Sequence, residues 1–385
     1  MYRVECSSSV NALFGNPESW NSLSDGIPFR QTRWLKPWWD QFGDALEAYV
    51  VVARDDQGQI CGILPLCRQL ASPRTLRFMG DNNACTDFAS ILLDSGATAA
   101  QSIAAQSIVD AMVQFLCLHA GSDSYGWDFL ELDGVSAADP VMRCFSASLA
   151  KAGVIVHAQS RMSTWFLKSA ESWEQQLSNH SKRTRKKTKG FLEAVDKTPG
   201  MQRVLAQSSE QVDEFMDAMI ELHQRRWNAV GEPGSYADKR LRDFVIQMAH
   251  EMFEHERLYL PVLRLDGRII GGELGILSDN QLYIYSSGFD LDASDLEPGR
   301  ILAVNTHKYV HDQGLRGIEY MRGDEPYKPR SGAEPTPLLQ LRVVAPRWWA
   351  KVCHSAWSAQ FELKQWARRR TGRELVKVVD MALTS

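Results

Sequence analysis

The feature that most constrains the fold is an order of elements that occurs twice. In the first half, residues 48–54 are β-rich, Asp55, Asp56, Gln57 and Gly58 make a turn, and residues 59–66 are β-rich again. In the second half, residues 258–265, the pair Asp266-Gly267 and residues 268–277 repeat that arrangement. An Asp/Gly turn between two β-rich runs reads as a hairpin. The two hairpins can be laid on each other. Val51, Val52, Ala53 and Arg54 lead to Gly58, Ile60 and Gly62, as Val262, Leu263, Arg264 and Leu265 lead to Gly267, Ile269 or Ile270, and Gly271. Beyond its hairpin the first half is read as a helix over 104–118, a strand over 127–132, a helix over 139–152 and a strand over 154–156. Asp139 is placed to cap the second of these helices, with Pro140 in its first turn. The second half is read as a strand over 282–287, a helix over 301–312 and a strand over 317–321. This is a diverged duplication of one α/β unit, and 385 residues are too many for one ordinary core.

Between the halves, residues 171–178 are helical, and residues 181–189 hold six basic side chains in nine. Two long amphipathic helices follow, over 210–228 and 236–254. The expected organisation is an N-terminal domain 1–168, a C-terminal domain 169–345 and a helical segment 346–385. That last segment gathers Trp348, Trp349, Trp357 and Trp366 with Arg347, Lys351, Lys364, Arg368, Arg369, Arg370, Arg373 and Lys377. Trp349, Cys353, Trp357 and Phe361 recur every four residues, which makes one helix face apolar. It reads as docked on the core, with contact to an anionic inner-membrane surface as the sharper alternative.

Composition excludes several classes. A net charge of −4 gives no global attraction to DNA. The seven cysteines are scattered without close pairs, and no further ligand accompanies His307 and His311, so no metal is expected. No apolar run has signal-peptide or membrane-spanning length. A cytoplasmic location is expected, with peripheral membrane contact through the C-terminal helix as the alternative. Oligomeric state is not legible.

The chemistry-bearing stretch is Tyr283-Ile284-Tyr285, Gly288-Phe289-Asp290, then Pro298-Gly299-Arg300-Ile301-Leu302 opening a helix. A strand thus runs into a helix N-terminus, which presents unpaired N–H groups and partial positive charge to an anion such as a pyrophosphate. Gly299 lets the backbone approach closely, and Pro298 stiffens the entry.

Residues 258–332 resemble the C-terminal half of the BioF2-like acetyltransferase domain of the GNAT superfamily, of the CelD/BcsL-like kind, a relative of the FemAB transferases. The resemblance rests on Leu265-Asp266-Gly267, Gly271-Gly272-Glu273-Leu274-Gly275, Tyr283-Ile284-Tyr285, Gly288-Phe289-Asp290, Pro298-Gly299-Arg300-Ile301-Leu302 and Arg322-Gly323-Asp324-Glu325-Pro326-Tyr327-Lys328. Trp34-Leu35, Trp38-Trp39, Phe42-Gly43 and Gly62-Ile63-Leu64-Pro65-Leu66 extend it into the first half. It implies tandem GNAT-like α/β folds with mixed sheets. It also implies acyl transfer from acetyl-CoA or another acyl-CoA to the amine of a small molecule or sugar, in exopolysaccharide or cell-envelope metabolism. Pro298, Gly299, Arg300, Ile301 and Leu302 would bind the coenzyme. The first half has Phe78-Met79-Gly80-Asp81-Asn82-Asn83-Ala84-Cys85-Thr86-Asp87 instead of such a loop, so it is expected to bind none. Two other readings stay open, a FemAB-like transferase using aminoacyl-tRNA and a non-catalytic accessory protein of polysaccharide synthesis.

An amine acceptor must lose a proton to attack a thioester, and a carboxylate can take it, while a tyrosine can protonate the leaving thiolate. The candidates are Glu273 in mid-strand, Tyr285 on the strand before the anion loop, and Asp324, Tyr327 and Lys328 just past the last strand, with Glu325 beside them. Ligands gather at that strand edge in α/β sheets. His223, Arg225, Arg226 and Trp227 are candidates for the acceptor side. The basic run 182–189 is a candidate for phosphate or RNA.

Overall fold

Residues 2–69, 71–81, 84–93, 103–372, 375–379 and 381 are described in the structure, a computed structural model of the chain, with Arg161 described by its backbone alone. Asn82, Asn83 and Arg373, named above, lie outside the described residues. The chain divides into two units, residues 1–163 with 336–385, and residues 164–335. Both are mixed α/β.

In the first unit, β1 (Arg3–Ser7), β2 (Leu46–Arg54), β3 (Ile60–Gln69) and β4 (Thr75–Phe78) form an antiparallel meander, with the short β5 (Leu92–Leu93) beside β3. β6 (Phe129–Ser136) then pairs parallel with β4 at two positions, Thr75 with Phe129 and Leu76 with Leu130. β7 (Ile155–Lys168) follows, its first nine residues in this unit. The sequence revealed only the start of β7, because polar residues such as His157 and Gln159 interrupt its apolar pattern. Strand Glu334–Val344 pairs antiparallel with β6, which returns the chain's last fifty residues to this unit instead of leaving them as a tail.

Short helices α1 (Val10–Phe14) and α2 (Pro17–Asn21) precede α3 (Thr32–Phe42), whose Trp34 and Trp38 are fully buried. Helices α4 (Ile103–His119) and α5 (Pro140–Lys151) place Ile108, Met112, Leu116, Met142, Phe145 and Leu149 in one core, at the three- and four-residue spacing of a helix face. Asp139 caps α5, accepting from the N–H groups of Val141 and Met142. The C-terminal helix, Trp348–Arg370, is mostly surface, with Ala350 and Gln365 buried. Ala350 joins the core and Trp357 and Phe361 pack on His157, while Trp348, Trp349, Val352, Leu363 and Trp366 are exposed. Trp349 therefore leaves the four-residue stripe on which it was expected.

The second unit begins with α6 (Trp173–Ser178) and α7 (Lys182–Lys197). Then come β8 (Met201–Leu205), α8 (Ser209–Ala229), α9 (Lys239–Glu254), β9 (Leu258–Tyr259), β10 (Pro261–Leu265), β11 (Arg268–Leu277) and β12 (Leu282–Phe289). α10 (Pro298–Asp312), β13 (Gly317–Arg322) and α11 (Tyr327–Arg330) complete it. The helix expected over 236–254 starts later, at Lys239, where Asp238 accepts from the N–H of Arg240. The strands lie in the order β8, β10, β11, β12, β13 and the end of β7, antiparallel throughout except for β12 with β13. The β10–β11 turn has positive φ at both Asp266 and Gly267, as the tightest hairpins require. A side chain at Gly271 would meet Leu302 and Pro298 of α10, and one at Gly272 would meet Met219 of α8. Successive residues of a strand point to opposite faces, so α8 and α10 cover the two sides of the sheet.

Candidate active site

β12 and β13 are joined in parallel at two positions, Leu282 with Ile318 and Tyr283 with Glu319. Past these, Ile284 pairs with Gly275 and Ser286 with Leu274, which leaves Tyr285 as the extra residue of a bulge. On the other side, the register of β13 with β7 breaks between Glu319 and Arg322, and Met321 has φ of +57°. The buried Glu319 carboxylate accepts from the N–H groups of Trp165 (3.1 Å) and Met321 (3.2 Å). The two parallel strands therefore part toward their C-terminal ends, where open α/β sheets take ligands.

The N-terminus of α10 arrives at this end of β12. Its cap, Glu297, has left-handed φ and ψ of 51° each and gives no side-chain hydrogen bond to the first turn. The five residues expected to bind a coenzyme divide here. Pro298 is buried over Gly271, and Ile301 and Leu302 sink their side chains into a core with Met201, Leu263 and Ile270. A Cβ on Gly299 would lie 2.9 Å from the Phe289 ring, so this glycine first serves packing. Arg300 is exposed and pairs with Glu297 at 2.7 Å. Pro298 has no N–H, and those of Arg300 (2.9 Å) and Ile301 (3.2 Å) already donate to the Glu297 carbonyl, so a ligand at this turn would meet the Gly299 N–H and Arg300.

Beneath α10 runs a buried chain of polar groups. Arg203 on β8 donates to the Tyr259 hydroxyl at 2.7 Å, which lies 2.9 Å from Thr306 Oγ1. Thr306 donates to Glu273 Oε2 at 2.6 Å. Thr306 has one hydroxyl proton, so Tyr259 is the donor in the middle link. Glu273 is 6% exposed. Burial pushes its carboxyl up to about 7, against the opposing pull of the Thr306 hydrogen bond and Arg203. Next to this chain, His307 hydrogen-bonds the Tyr320 hydroxyl. Burial holds that imidazole down at about 4 and raises the Tyr320 phenol.

The other candidates fall into three groups. Tyr327 is 51% exposed, its ring set edge-on to Tyr320 at 5.8 Å, and its phenol is raised by burial and then by Glu325 and Glu273. Tyr285 lies at the bulge. Lys328 and Asp324 instead hold the loop after β13. Lys328 is 2% exposed and donates to the carbonyls of Met321, Arg322 and Gly323 at 2.9 to 3.2 Å, with Glu325 at 2.9 Å. Asp324 accepts from Trp165 Nε1 at 3.0 Å. On the α8 side, His223 is buried, accepts from Trp227 Nε1 at 3.0 Å, and is pushed down to about 4 by burial and then Arg226. Arg225 is tied to Asp292 and Asp290, and the Arg226 guanidinium lies over the Phe289 ring. Sequence reasoning missed Arg203, Tyr259, Thr306 and Tyr320 and read His307 only as an incomplete metal site. The available signal was Thr306, a polar residue on the stripe of Leu302 and Val310.

Residues 182–329 match the family model described as "Acetyltransferase (GNAT) domain". The matched segment lies within the second unit and is similar to a GNAT-type acetyltransferase domain. The fold is similar to the crystal structure of FemX, with a TM-score of 0.58 and 11% identity over 87% of this chain and 96% of that one. It is also similar to a conserved protein of unknown function from Bacteroides thetaiotaomicron VPI-5482, with a TM-score of 0.54 and 9% identity over 89% and 100%. At such identities the likeness is one of fold. No curated protein sequence matches the chain. Among the described residues, no helix is long and apolar enough to cross a membrane.

Proposed function

We propose that the second unit transfers an acyl group from acyl-CoA, acetyl-CoA in the first instance, to the amine of a small molecule or sugar. The observation that carries this reading is the parting of β12 and β13 beside the α10 N-terminus. A slot between diverging strands suits a thioester arm, and the helix turn suits the pyrophosphate. Bound coenzyme A would supply the thioester. Of this chain's groups, the Gly299 N–H at the α10 start and the Arg300 guanidinium would hold its phosphates. Glu273 sits near neutrality, where a general base works best, and would take the acceptor's proton. The half-exposed Tyr327 would supply one to the departing thiolate. Lys328 and Asp324 act through the loop that positions Tyr327. The exopolysaccharide or cell-envelope setting belongs to this proposal through the family resemblance.

The test is calorimetric titration with acetyl-CoA. We expect one site per chain and an affinity about tenfold weaker in Arg300→Glu, which places a negative charge at the first turn. Gly299→Trp is the poorer probe, because Phe289 occupies that space. Absence of heat with any acyl-CoA would remove the reading. Binding of aminoacyl-tRNA instead would favour the FemAB-like alternative. The feature in its support is α7, whose first eight residues carry six cations, five of them exposed, at the helix end that disfavours them.

Peripheral membrane contact through the C-terminal helix is part of the same proposal. Trp348, Val352, Leu363 and Trp366 are exposed beside Lys351, Lys364 and Arg368. The protein should sediment with anionic phosphatidylglycerol vesicles, and the double variant Trp348→Ser, Trp366→Ser should not. Equal sedimentation of both proteins would discard the contact.

A further inference from the structure

A second polar constellation lies in the first unit, outside everything assigned above. A cavity of about 390 Å³ opens on the sheet face crossed by the C-terminal helix. Its wall comes from alternate positions of four strands: Arg77 on β4, Glu131 on β6, Gln340 and Arg342 on strand Glu334–Val344, and His157 and Gln159 on β7. Their sequence neighbours Leu76, Leu130 and Val343 point the other way, into the core. A sheet face beneath a helix is ordinarily apolar. This one presents six polar side chains to a space within the usual ligand range of roughly 300–1,000 Å³.

Ion pairing explains part of the set. Arg342 hydrogen-bonds Glu131, with its guanidinium between the rings of Phe129 (4.1 Å) and Trp357 (4.7 Å). Gln159 donates to Gln340 at 3.0 Å. Among the described residues, Gln159 Oε1, His157 Nε2 and Arg342 Nε are buried atoms without a protein partner. Gln159 is itself only 7% exposed. The first of these atoms accepts, the last donates, and the imidazole nitrogen can do either. Buried polar atoms are nearly always satisfied, so a mixed set around one cavity points to a ligand that both donates and accepts. Hydroxyl groups do so at every position.

Charge narrows the class further. The carboxylates of Asp81, Glu131 and Asp133 outnumber the guanidiniums of Arg77 and Arg342 around the cavity. Burial and the nearby Arg342 hold the His157 imidazole below its ordinary range, so it adds no positive charge at neutral pH. A phosphate or carboxylate ligand would meet excess negative charge.

We propose that this cavity is a saccharide site that takes one hexose or hexosamine unit through its hydroxyl groups. The proposal stands whether or not the second unit transfers acyl groups. The full chain would be titrated calorimetrically with glucosamine, with glucose and with inorganic phosphate, and its tryptophan emission followed because Trp357 lines the wall. Saturable binding of glucosamine or glucose is expected, with none of phosphate. Gln159→Leu, which removes the unpartnered oxygen at similar size, should weaken sugar binding by about tenfold or more. Its titration with acetyl-CoA should match the wild type's. If Gln159→Leu does not fold, His157→Ala carries the same expectation. Failure of both sugars to bind, phosphate binding in their place, or unchanged sugar affinity in the folded variant would each overturn the proposal.

Discussion

The two units solve the same problem at the end of their parallel strand with opposite charges. In each, a meander, a helix and a parallel strand joined at two residue pairs lead into a turn. After β6 the chain enters α5, whose first N–H groups need an acceptor, and the buried Asp139 supplies it while pairing with Arg30 at 2.8 Å. After β13 the chain makes an open loop whose carbonyls converge, and they need a donor. Lys328 supplies three bonds from one buried ammonium. The sign of the buried charge follows from which backbone groups the turn leaves unpaired. The units also differ in where their remaining polar groups lie. The second hides a hydrogen-bonded chain under α10, whereas the first lines a cavity on its sheet face.

Lys328→Met should break this comparison most severely. The substitution keeps the apolar stem and removes the ammonium, leaving three carbonyls without their donor. We expect a loss of about 4 kcal/mol in denaturant unfolding, since buried bonds to a charged group are worth roughly 1.5–3 kcal/mol each and do not add fully. Restoring the charge with Lys328→Arg should recover only part of this, because a planar guanidinium cannot reproduce the ammonium's three directions. A loss below about 1 kcal/mol would show that Lys328 does not organise the loop.

Much of this architecture was legible, and the gaps have physical causes. Hairpin turns were readable at Gly58 and Asp266-Gly267, because positive φ restricts which residues can stand there. The α10 start was readable from Pro298 and Gly299, although the structure gives Gly299 a packing reason that no local pattern carries. The long β7 was not legible beyond its start. Polar residues such as His157 and Gln159 read as a loop until strand Glu334–Val344 and the C-terminal helix are brought against them. Neither was the return of residues 336–385 to the first unit, since strand pairing between β6 and a segment two hundred residues later leaves no local trace. Glu273 was singled out for its cost in mid-strand, but its partners Thr306, Tyr259 and Arg203 lie on three other elements.

Glu273 offers the next, somewhat smaller effect. Its carboxyl ordinarily titrates near 4.5, and burial in the folded protein raises this to about 7. Between those values the unfolded chain has lost a proton that the folded one keeps. Stability contributed by this group is therefore full below pH 4.5 and declines as pH rises through 7. The total decline is roughly 3 kcal/mol. Glu273→Gln keeps an acceptor for Thr306 and has no proton to lose. Its unfolding free energy should lack this component, so the difference between variant and wild type should grow from about pH 5 to pH 8 in the variant's favour. Activity should move the other way. A base with this pKa gives a rate that rises through pH 7, and the variant should lose that limb together with most of kcat. The two readouts separate the roles. A flattened stability profile with an unchanged rate profile would make Glu273 a buried structural group and move the base elsewhere. Loss of both together would tie the hidden chain of the second unit to its chemistry, in contrast to the cavity groups of the first.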